Sequence, residues 1–93
     1  MTSKTKPVPS PLNDETETWR RTLSILAALK QVSQEVRKEA EQIEIANPGV
    51  LIKPGYSERV ALVRCLNESY ASLAIDIRGI ARTCGLQMPE ELK

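Results

Sequence analysis

The chain has 93 residues and a mass of 10.4 kDa, room for one small domain. Thirteen Lys and Arg against twelve Asp and Glu leave a formal charge of +1, without the broad basic character of a nucleic-acid binder. His is absent, which removes the commonest general base and metal ligand, and Cys65 and Cys84 alone are too few for a structural zinc site.

Residues 1–13 (MTSKTKPVPSPLN) hold three of the six prolines and few large apolar side chains. This composition predicts a disordered, Pro-rich lead. Pro7 and Pro9 flank Val8, so a short polyproline-type ligand is the alternative reading. Lys4 and Lys6 are not followed by an apolar run, so no secretory signal is expected.

The first helix is expected over 14–46. Asp14 with Glu17 three residues on resembles a capping box, and Glu15 and Glu17 suit the positive end of the helix dipole. No Pro or Gly interrupts the chain until Asn47-Pro48-Gly49, a strong stop. Trp19, Thr22, Leu26, Leu29, Ser33, Val36, Ala40 and Ile43 recur in steps of three and four, the spacing of a coiled-coil seam. Leu23 to Val32 is apolar on more than one face, whereas Glu35 to Glu44 is densely charged and keeps only a narrow apolar stripe. The Leu23–Leu29 run is far too short to span a bilayer.

Residues 47–57 form the connection, in which two Pro-Gly pairs bracket Val50-Leu51-Ile52. The triplet is expected to fold back over this end of the hairpin. The second helix is read as 57–84, with Ser57 as N-cap and Gly85-Leu86 as a Schellman-type stop. Its seam is Val63, Leu66, Tyr70, Leu73, Ile77, Ile80 and Cys84, with the small Ala74 and Ala81 beside it. Residues 87–93 read as a loose C-terminal tail, with Pro89 at the start of a last short helical stretch.

Two long helices on a short connection predict an all-α fold, an antiparallel, coiled-coil-like helical hairpin. Such a hairpin pairs Leu23–Val32 with Leu73–Cys84, at the end distant from the loop. Both segments carry more apolar surface than one partner helix covers. The hairpin is therefore expected to complete a four-helix bundle by association, as homo- or hetero-oligomer. The partner-binding residues read from this excess are Trp19, Leu23, Leu26, Leu29, Leu73, Ile75, Ile77 and Ile80.

The chemical candidates are thin. Arg64, Arg78 and Arg82 recur on one side of the second helix and read as a solvated face. Carboxylate pairs such as Glu35/Glu39 sit at helical spacing on the most charged part of the chain rather than in a cleft. The two Cys are read as reduced thiols; 19 residues apart on one helix is about 28 Å, beyond a bridge. No catalytic, cofactor or metal residue is assigned, and the chain is read as non-enzymatic.

The expected function is a protein–protein interaction module, a small helical subunit or adaptor of an intracellular complex in cytoplasm or nucleus. It would bind partner helices through its apolar seam, without a membrane span or nucleic acid. Two alternatives share the architecture. One is a dimeric assembly or secretion-type chaperone. The other is a small all-helical enzyme with a site between subunits, an arrangement similar to that of chorismate mutases and resting on architecture alone.

Overall fold

A computed structural model describes residues 11–93. Two helices, α1 (Glu17–Ala46) and α2 (Ser57–Cys84), pack against each other as an antiparallel hairpin, and no strand occurs among the described residues. The expected hairpin is the observed fold. Most of the expected Pro-rich lead lies outside the described residues.

The start of α1 is three residues later than expected. Asn13 forms a turn of its own, accepting the Glu15 N–H at 2.8 Å and pairing its backbone with Thr16. An Asx turn competes with helix for the same backbone groups. Thr16 is thus the N-cap residue, and Asp14 is freed from capping. At the far end, the Asn47 N–H bonds the Ile43 carbonyl and Gly49 takes φ 84°, a conformation suited to Gly. The Glu44 carboxylate then accepts the N–H groups of Gly49 (2.6 Å) and Leu51 (3.4 Å). This clamp sets two short 3-10 turns, Val50–Ile52 and Pro54–Tyr56. Val50 is buried under the hairpin end as expected, but Ile52 stands almost fully exposed. Tyr56, not Ser57, is the N-cap position of α2; the Ser57 hydroxyl donates to the Pro54 carbonyl.

The seam of α1 follows its heptads. Its four buried residues, Trp19, Leu26, Ser33 and Ala40, are seven apart. Facing pairs fix the register: Ser33 Oγ donates to Asn67 Oδ1 at 2.5 Å, and Arg59 pairs with Glu39. The same register seven and fourteen residues further sets Leu26 by Ala74 and Trp19 by Ala81, all members of one core cluster. Large residues of α1 thus meet small residues of α2.

That pairing corrects the expected seam of α2. The buried residues are Ala74, Ile77 and Ala81, while Leu73 is half-buried and Ile80 and Cys84 are exposed. Close approach of two backbones beside Trp19 and Leu26 needs small side chains, so α2 is turned to present its alanines.

The larger correction concerns the C-terminus. Gly85, at φ 69°, ends α2, and Leu86 N–H bonds the Ala81 carbonyl at 2.7 Å, the Schellman arrangement expected there. The following residues, expected to be loose before a short helical stretch from Pro89, do end in such a turn but fold back along the hairpin. A final 3-10 turn, Glu90–Leu92, inserts Leu92 into the core at 1% exposure. Leu12, Leu86 and Met88 pack on the same cluster. Arg78 donates to the carbonyls of Leu92 (3.0 Å) and Lys93 (3.2 Å), Lys30 donates to that of Glu91, and Asp14 accepts the Gln87 N–H at 2.9 Å. A two-helix seam leaves open apolar surface, and Leu92 fills part of it within the chain.

Candidate interaction surface

The tail splits the hairpin into two unlike sides. On one, Glu91 and Leu92 lie over Ala27, Lys30 and Gln34 of α1. The other side has no cover from the described residues. There, α1 presents Leu29 and Val36, seven residues apart, and α2 presents Leu62 and Leu73, with a shallow groove between the helices. Ile25 and Val32 stand fourteen and seven residues before Glu39, a groove-lining residue, so helical periodicity puts them on the same side. Ile80, seven residues beyond Leu73, continues the α2 row.

The residues expected to bind partners fall into three groups. Trp19, Leu26 and Ile77 are in the chain's own core and present no surface to a partner. Leu23 and Leu73 are half-buried against that core, and Leu29 is half-buried at the groove. Ile75 and Ile80 are exposed, at 65% and 46%. Both line one shallow pocket on α2 with Asp76 and Gly79, Ile75 lying further round the helix from the α1–α2 seam than Ile80. The structure thus brings together Leu29, Leu73 and Ile80, with Ile75 beyond Ile80 on the outer face of α2, and sets Trp19, Leu23, Leu26 and Ile77 apart in or against the core. It adds Leu62, 49% exposed, and Val36, so the open surface reaches toward the loop instead of stopping at the loop-distal end.

Charge is unevenly placed on the open side. Glu39 and Glu58 line the groove near the loop, and Glu68 and Asp76 line it further along α2. Arg59 is the one cation lining these stretches, and it is paired with Glu39. Ser69 and Ser72 complete the α2 wall.

No group of three His, Cys, Asp or Glu able to hold a metal occurs among the described residues. Cys65 and Cys84 are exposed thiols. No helix among the described residues is long and apolar enough to cross a membrane. The indole N–H of Trp19 is the one buried side-chain polar atom without a hydrogen-bond partner there, so the net gain from burying Trp19 rests on its ring area. No known family, curated protein or solved structure matches the chain.

Proposed function

We propose that this protein is a non-catalytic interaction module, a small helical subunit or adaptor that takes a partner helix against the open side of its hairpin. The observation that carries the reading is one-sided cover. Leu92 and the tail close one side, while Ile25, Val32, Leu62 and Ile80 stay 44–62% exposed on the other. Apolar rows at heptad spacing on two adjacent helices match the surface that a further bundle helix buries. A contiguous face of this kind is uncommon on a chain that acts alone. Exposed free thiols favour a reducing compartment, cytoplasm or nucleus.

The test compares the full-length chain with its Ile25→Glu/Leu62→Glu variant as baits in extract from the source cells. Ile25 is 62% and Leu62 49% exposed, so the variant is expected to keep its fold, which circular dichroism checks. Proteins retained by the wild type and lost from the variant are the expected result. Identical retention by both would overturn the reading.

A further inference from the structure

The rim of the open groove says what kind of helix fits it. Over the two stretches that α2 lines, Glu58, Glu68 and Asp76 stand unopposed, and the only cation, Arg59, is taken by Glu39. The whole chain is close to neutral, so this acidity belongs to the groove and not to the protein at large. Lys30 and Arg78, by contrast, lie on the tail side and are engaged with tail carbonyls.

We infer that the occupant of this groove is a basic amphipathic helix: an apolar stripe seated on Leu29, Val36, Leu62 and Leu73, with Lys or Arg on the flank that faces the acidic α2 wall. Charge complementarity decides against a second copy bound through the same face. An isologous pairing would set one acidic rim on another, and like charges across an interface oppose association. It also disfavours a phosphate-bearing ligand. From Glu58 to Asp76 the groove runs about 27 Å at 1.5 Å per residue, which calls for a partner helix of roughly eighteen residues. Apolar anchors at i, i+4, i+7 and i+11 would meet the heptad rows of both walls. This inference rests on the interaction-module reading and adds the chemistry of the partner.

Two labelled eighteen-residue model peptides test it, sharing one Leu stripe and differing only in a Lys or a Glu flank. Binding to the full-length protein is followed by fluorescence anisotropy at low and high salt. The Lys-flanked peptide is expected to bind at least about tenfold tighter than the Glu-flanked one, with the difference shrinking as salt screens the rim. Reversing the rim with Glu68→Lys and Asp76→Lys is expected to weaken it by about tenfold. Leu62→Glu separates seating from mere attraction. It adds a negative charge, so an electrostatic encounter alone would tighten, whereas a helix seated on Leu62 is lost. Tighter binding to Leu62→Glu, equal binding of the two peptides, or binding of neither would overturn the inference. So would a sedimentation mass of two chains abolished by Leu62→Glu, because the occupant would then be a second copy. If the peptides fail while the bait comparison still loses a protein, the interaction reading stands and only the basic-helix assignment falls.

Discussion

The two sides of this hairpin start from similar material and end differently. Both carry apolar residues beside the seam: Leu23 and Ala27 on one, Ile25, Leu29 and Val32 on the other. The tail side is closed by the inserted Leu92, by Leu86 and Met88 packed beside it, and by cations that hold backbone carbonyls. The open side has larger exposed side chains, an acidic rim and no cover from the described residues. Helix amphipathicity alone therefore does not tell which side of a hairpin is finished. Eight residues after Gly85 make the difference, by supplying Leu92 to the core, Leu86 and Met88 against it, and several carbonyl acceptors.

The strongest way to break the comparison is to remove what both sides share. Leu26 is fully buried between α1 and α2 and belongs to the cluster that receives Leu92. Leu26→Ala should cost about 3 kcal/mol, the transfer free energy of the lost atoms plus a cavity. Urea denaturation read by circular dichroism measures it. A loss under about 1 kcal/mol would mean that the core collapses around the gap and that the seam is less tightly packed than its burial implies.

Removing Leu92 should have a smaller effect, because the tail can undock without unfolding the hairpin. Leu92→Ala should cost about 2 kcal/mol, capped by the free energy of tail docking. Its signature is local: amide exchange should speed up over residues 86–93 while the centres of α1 and α2 keep their protection. Uniform loss of protection would show that tail and hairpin unfold as one unit, and would make the tail a structural third element rather than a cover.

The sequence carried one half of this comparison better than the other. The seam of α1 was legible because Trp19, Leu26, Ser33 and Ala40 keep a strict seven-residue spacing, and spacing is what a helix turns into a face. In the α2 seam Ile77 is buried as its spacing predicts, but Leu73 and Ile80 give way to their neighbours Ala74 and Ala81. Periodicity favours the larger Leu73 and Ile80 over Ala74 and Ala81, but what Trp19 and Leu26 require opposite them is little volume, a property of the pair and not of either helix. Leu92 was not legible at all. One leucine in a short charged tail carries no period, and its place depends on Lys30 and Arg78, which are distant in sequence. The exposed Ile25 and Val32 were visible as apolar excess. That the excess would survive on one side only depends on the tail.

The smallest expected change in stability is the one that sharpens the comparison most. Ile25 and Ala27 are two residues apart on α1 and lie on opposite sides: Ile25 is 62% exposed on the open side, and Ala27 is half-buried beside Glu91 and Leu92. The same new residue at each position isolates the side from the chemistry. Ile25→Glu places a carboxylate in water and should change stability by no more than about 0.5 kcal/mol. Ala27→Glu forces a carboxylate against Leu92 and beside the acidic end of the tail, so it should cost more, about 1 kcal/mol, and speed exchange of the Leu92 amide, which bonds the Pro89 carbonyl. Parallel thermal melts and exchange at Leu92 measure both. Equal effects would mean that the tail does not distinguish the two sides in solution, and the contrast that marks the groove as the uncovered side would be lost. A larger effect at Ile25 would mean that the open side is already covered within the chain, which would remove the surface on which the partner helix is proposed to sit.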